Sequence, residues 1–245
     1  MNAREKCKLA RFNNSYLNFM SQPPKLLNDD GTASMATMLL MSHHAFRRDI
    51  ARFIGAVAQI KAGDASHAPA VREEWEKSYR QALHGHHTME DTHIFPDIRS
   101  KHPDLASALD TLTVQHHKID PVLEKIDAAL ADFDHPENIE TALNELKILL
   151  DEHLTFEEAE ITPSLRDGKE FPAPADDNMA NVYAQGFAWS MQGIALEVLD
   201  QVQKMLPDIL TVKLPAAQRE FEVRSERVWG TYTVGSATTP VPEGY

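Results

Sequence analysis

The chain has one cysteine, Cys7, among 245 residues, so it can form neither an internal disulfide nor a thiolate metal site on its own. That usage suits a reducing compartment. No apolar run approaches the roughly 20 residues of a membrane helix; one of the longest lies at Met35–Met41. The basic stretch from Met1 to Asn14 is not followed by the apolar segment of a secretory signal. Strand patterns are nearly missing, and neither a glycine-rich phosphate loop nor a serine nucleophile elbow is present. Basic residues are also in short supply. With 24 Lys and Arg against 37 Asp and Glu the net charge is −13, a field that repels phosphate backbones and anionic headgroups. These features lead us to expect a cytoplasmic protein that docks to neither nucleic acid nor membrane.

Hydrophobic residues make up 42% of the chain, enough to bury a sizeable core, and histidines number 12. Apolar residues at steps of three, four and seven predict four long amphipathic helices. The first runs from Met38 to Ile60, on Leu39, Phe46, Ile50, Phe53 and Val57. The second opens at Pro69 and runs through Trp75, Tyr79, Leu83 and Ile94 to about Ser100; Pro suits a first helical turn. The third follows Pro103 through Leu112, Ile119 and Leu123 to Leu130, and the fourth runs from Pro136 through Leu146 and Leu154 to about Leu165. Short connections make the simplest fold an all-α, antiparallel four-helix bundle over residues 35–166. Residues 1–34 form an N-terminal extension with a short helix over Asn2 to Phe19. Residues 167–234 form a C-terminal helical extension, with helices expected over Asn178 to Leu206 and Ala216 to Val228. Residues 235–245 are expected to be a flexible tail.

An internal repeat places the histidines. The segment from His86 to Arg99 and the segment from His153 to Arg166 both read H-x-x-x-E-[D/E]-x-x-I-x-P-x-[I/L]-R, seven matched positions in fourteen. His43-His44 on the first helix echoes His116-His117 on the third. Residues four apart share a helix face, so His86 with Glu90, and His153 with Glu157, reach a common point. Helix phase turns His43 and His116 toward the apolar stripes, and His44 and His117 away. The inward set is His43, His86, Glu90, His116, His153 and Glu157.

A lone buried histidine is usually a hydrogen-bonded core residue, and an isolated H-x-x-x-E is usually an exposed intrahelical pair. Six such groups in one bundle are different. Two buried carboxylates demand cationic compensation, and no Lys or Arg shares their stripes at that level. Imidazole with carboxylate and no thiolate suits iron or manganese and does not exclude zinc. Four histidines and two glutamates match two ions with the glutamates bridging. Arg47 and Arg48 are candidates to pair with Asp91 or Glu158, set against the simpler reading of a solvated charged face. Pro96 and Pro163 are expected to bend or end their helices in the same way.

In this order on four helices, His43, His86-x-x-x-Glu90, His116 and His153-x-x-x-Glu157 resemble the hemerythrin-like (HHE cation-binding) family, over roughly Met35 to Arg166. The resemblance implies a non-haem di-iron centre, oxo- or hydroxo-bridged, with the glutamates as bridges and the histidines as terminal ligands. Its small ligands would be dioxygen, peroxide or nitric oxide. The oxygen carriers of that family place two histidines four apart on the third helix; here the residue four after His116 is Asp120. One iron is left an imidazole short unless Asp120, His44, His87 or His117 fills in. This departure, and some 80 residues beyond Arg166 that a bare carrier does not need, point to an oxidoreductase of oxygenase or peroxidase type, with a small organic substrate as a further partner. The alternative is a non-catalytic protein that binds or senses dioxygen or iron. In a third reading the metal only staples the bundle. Phe187, Trp189, Met191 and Trp229 would cover the bundle mouth, form a substrate pocket, pack as an extra layer, or make a homodimer contact.

Overall fold

The computed structural model describes residues 24–131 and 133–230; the expected N-terminal helix, Cys7 and the tail lie outside them. The described residues are all-helical, with no strand among them, and no helix is long and apolar enough to cross a membrane.

Helix α1 spans Met35–Lys61 and opens on a capping box in which Ser34 and Thr37 satisfy each other's backbone N–H groups. Helix α2 is continuous over residues 68–101 but not uniformly wound: α-helical stretches alternate with π turns at Trp75–Tyr79 and Glu90–Ile94. A 3₁₀ turn at Pro103–Leu105 leads into α3 (Ala106–Leu130), followed by α4 (Pro136–Glu160) and the single turn α5 (Thr162–Leu165). Cross-helix pairs set the directions. Arg80–Asp127 and Arg99–Asp110 run α2 against α3; Lys61–Glu140 and His43–Glu158 run α1 against α4.

The two prolines act differently. At Pro163 the main helix stops at Glu160 and restarts for one turn, as expected. At Pro96 the helix continues to Lys101, because the preceding π turn lets the Phe95 N–H reach the Glu90 carbonyl. Ile94 is only half-buried, and Phe95 takes the inward place expected of it.

The C-terminal region also corrects the sequence reading. One helix was expected over Asn178 to Leu206; there are two, α6 (Asp177–Ser190) and α7 (Leu196–Gln203). Gly193, at φ 89°, takes the left-handed conformation that turns the chain between them. The last helix, α8 (Asp208–Trp229), begins eight residues before Ala216 and carries Pro215 inside it. Helices α6 and α8 pack on each other and on α1, and Phe187, Trp189, Met191 and Trp229 are buried in the shared core. Fully buried Arg48 fastens this layer. It donates to the Trp189 and Gln192 carbonyls at 3.1 and 2.9 Å and forks onto both oxygens of buried Asp49. Asp49 in turn accepts from the Trp189 indole at 2.6 Å and from Arg52 at 3.0 Å. Burial pushes the Asp49 carboxyl up, but the two guanidiniums outweigh it and hold it below its usual range.

The apolar interior is in two parts. The large core takes in α1, the first half of α2, α3, α4 and the C-terminal layer; the small one consists of Phe95, Ile98, Leu109, Leu112 and Ile161. Along α2, α3 and α4 the histidines and glutamates of the repeat fall between them.

Candidate metal centre

All six inward residues expected from the sequence are brought together, and a seventh joins them. Two groups, each with ligand atoms within 4.8 Å of one another, occupy the layer: His87, Glu90, His116 and His153, and His43, His86, Glu90 and Glu157. Glu90 belongs to both. Its oxygens approach His86 Nε2 at 2.9 Å and His116 Nε2 at 3.4 Å, and Glu157 lies between His43 at 3.3 Å and His153 at 3.7 Å. Each glutamate therefore spans the two groups.

Outer partners aim the imidazoles. His43 donates from Nδ1 to Glu158 at 3.0 Å, His116 to Asp91 at 2.9 Å and His153 to the Gln115 side chain at 3.2 Å. A histidine whose Nδ1 holds the proton presents a bare Nε2. The Nε2 atoms of all five histidines and both oxygens of Glu90 and Glu157 are buried without a hydrogen-bond partner. Orphaned lone pairs of this kind, converging from four helices, fit cations of the imidazole- and carboxylate-binding type.

The same contacts explain the acidic doublets of the repeat. In each, the first carboxylate faces the cluster and the second orients a histidine on another helix: Asp91 serves α3 and Glu158 serves α1. Arg47 pairs with Glu158 rather than lying on a solvated charged face, and Thr113 donates to Asp91 at 2.8 Å. Arg48 instead reaches the C-terminal layer.

The residue that phase reasoning left open is His87, which is 5% exposed and stacks on His116 at 4.1 Å between ring centroids. Asp120 and His117 are exposed, and buried His44 belongs to neither group. A signal for His87 was present: Trp75, Tyr79 and Leu83 step by four, and the next step is His87. That wide stripe follows a helix loosened by a π turn rather than a 3.6-residue period. Replacing His87 with leucine should lower metal content by about one ion per chain, whereas Asp120→Asn should leave it unchanged; metal analysis after loading checks both.

Taken alone, the side chains are electrostatically frustrated. Burial and the charge of Glu157 push the Glu90 carboxyl up to about 8, while Glu157, despite its burial, is drawn down to about 2 by His43, His153 and His86. Burial tends to lower His43, yet Glu157 and Glu158 raise it to about 9. Burial drives His86 and His153 down to about 3 and His44 to about 4, and lowers His87 as well. Those four imidazoles stay neutral in the fold at pH values where the unfolded chain protonates them. The unfolded state then binds more protons, and stability falls as pH drops below 6.5. Glu90, His43 and His116 oppose the trend and are outnumbered. The chelated protein should melt on the order of 5–15 °C lower at pH 5 than at pH 7, and bound metal should shrink the difference. Calorimetry at the two pH values checks this.

The family profile described as Hemerythrin HHE cation binding domain matches residues 34–165. That is more than half of the chain, so the chain belongs to the hemerythrin HHE cation-binding family. Comparison with curated proteins and with solved structures returns no match.

Proposed function

We propose that this chain is a non-haem di-iron protein that binds dioxygen, peroxide or nitric oxide and reacts with it. The observation that carries the reading is the pair of four-residue groups spanned by Glu90 and Glu157. An antiparallel four-helix bundle over residues 35–166 is part of the proposal, supported by the paired helix directions described above. His43, His86, Glu90 and Glu157 would hold one iron, and His87, His116 and His153 with Glu90 the other. Bound iron would supply one-electron redox chemistry and coordination positions open to a small ligand.

The protein's own part is selection and shielding. Of the seven residues His86 is the most exposed, its side chain 14% accessible, while the rest are almost completely covered. The His86 edge is where a small molecule would approach, and the cover over the other six limits the water that reaches the buried carboxylates. Asp91, Gln115 and Glu158 keep Nδ1 protonated and Nε2 inward, so the donor set is preorganised.

His87 also favours a second reading. It restores the imidazole that helix α3 lacks, which removes one argument for chemistry over reversible binding. One experiment separates the readings: anaerobic iron loading, metal analysis, then visible spectra during addition of dioxygen, peroxide and nitric oxide. About two irons per chain, with bands that decay and return on reduction, supports the reactive protein. A band that bleaches on degassing supports the reversible binder. Zinc, or a spectrum indifferent to every ligand, overturns both.

A further inference from the structure

The internal repeat holds its histidines alike at one pair of positions and unlike at the other. His43 and His116 match: each donates from Nδ1 to the second acid of a doublet on another helix, Glu158 or Asp91. His153 and His86 do not match. His153 donates to Gln115, the residue before His116. By the repeat, the corresponding partner of His86 is Ser42, the residue before His43. A serine hydroxyl sits two carbons short of a glutamine amide, and that of Ser42 turns back to the Leu39 carbonyl of its own helix at 2.7 Å. No other residue takes its place, so Nδ1 of His86 has no hydrogen-bond partner among the described residues. A histidine edge at a surface is ordinary, and so is one missing hydrogen bond. Two further departures fall on the same residue. The His86 side chain is 14% accessible, whereas that of His153 is fully covered. His153 stands on the uninterrupted helix α4, but His86 stands on the stretch Arg80–Met89 between the two π turns of α2. Such turns are frequent where a helix carries function.

We propose that His86 is a detachable ligand, which lets go of its ion to admit a small chelating oxygen donor of the hydroxamate or α-hydroxy acid class. The inference rests on the di-iron reading. An outer partner fixes the orientation of a metal-bound imidazole, and its loss costs roughly 10- to 100-fold in affinity. His86 is therefore the most weakly held of the repeated ligands. A ligand that needs one position can use one already open beside the two imidazoles and two carboxylates. A chelating ligand needs a second, and His86 is the donor that yields it. Its outward swing clears the space of a five-membered ring on the solvent side, the size of the chelate ring such a ligand closes with the ion. The bond from Nε2 to the metal breaks with its electron pair left on the imidazole. The two entering oxygens each donate a pair, and no electron is transferred. His43, held by Glu158, and the two glutamates keep the ion in place.

The test uses the iron-loaded full chain and two probes: acetohydroxamate, which binds through two oxygens, and azide, which binds through one nitrogen. Ser42→Gln gives His86 the partner that Gln115 gives His153. It should slow acetohydroxamate binding, followed in stopped flow by its visible band, by about tenfold or more, while azide binds at the native rate. His86→Ala should keep nearly two irons per chain and bind acetohydroxamate faster than the native chain does. His153→Ala, its counterpart in the repeat, should lose an iron. Equal loss of iron from the two alanine variants overturns the proposal. So does an acetohydroxamate rate that Ser42→Gln leaves unchanged, or slows only in step with azide, and so does acetohydroxamate that strips the iron instead of binding to it. If Ser42→Gln fails to fold, the two alanine variants decide the matter. A native chain that takes up no iron sinks the di-iron reading; one that loads two irons and fails these comparisons sinks the inference alone.

Discussion

Replacing Glu90 with glutamine should remove both metal positions at once. Glu90 is the one residue that belongs to both groups of donors. The variant should therefore lose more affinity than the roughly 100-fold that loss of an outer-shell partner can cost. Metal content should fall from about two ions per chain to near none. The metal-free protein should behave in the opposite way. Its Glu90 carboxyl is pushed up to about 8 by burial and by Glu157, so it is mostly neutral near pH 7 and glutamine mimics it. In the native chain the unfolded state ionises this group above its ordinary value near 4.5, and the fold only above about 8. Stability from this group is full below that window and is lost as pH rises through it. The variant lacks that loss. Metal analysis and melting of chelated samples from pH 5 to pH 9 test the two halves separately. A chelated variant that melts well below the chelated native protein would contradict this account.

Arg48→Met should destabilise the protein by about 3–5 kcal/mol, on the order of 10 °C in melting temperature. Arg48 is fully buried and touches no member of the metal cluster. Its removal strips two carbonyls at the end of α6 of their donor and leaves Asp49 in the interior with half its compensation. The cost should fall on the C-terminal layer: limited proteolysis should cut within residues 167–230 first, while metal content holds. The double variant Arg48→Met with Asp49→Leu should regain much of the loss, because a buried ion pair replaced by apolar groups of similar size is often near neutral. If the double variant is no better than the single one, the damage lies in the lost carbonyl contacts rather than in the stranded carboxylate.

The helices were legible because their apolar stripes repeat near 3.6 residues, and most of the cluster because H-x-x-x-E recurs in phase with those stripes. The misreadings along α2 share a cause, which is departure from that period. A π turn is one extra residue in a helical turn, so phase counted along α2 went astray at both of its π turns. It left His87 undecided and put Ile94 where Phe95 belongs. At Gly193 the apolar spacing of Phe187, Met191, Ile194 and Val198 runs on unbroken through a turn, and only the glycine marked the break. Pro215 had the reverse effect, deferring the start of a helix that in fact runs through it. The roles of Asp91 and Glu158 were hidden for another reason. They act across helices, on α3 and α1, and no spacing within one segment reveals that.

The division of the interior has a consequence for cooperativity. The small apolar cluster of Phe95, Ile98, Leu109, Leu112 and Ile161 is separated from the main core by a layer of histidines and glutamates whose inward atoms have no hydrogen-bond partners. Without cations this layer is a weak mechanical joint, because desolvated lone pairs face one another across it. The end of the molecule from Phe95 to Leu112 should then open as its own local unit, below the free energy of global unfolding. Ions bridging four helices at that level would weld the two apolar parts into one. Amide hydrogen exchange would register this as slow, uniform protection with metal bound, and as early exchange confined to that end after chelation.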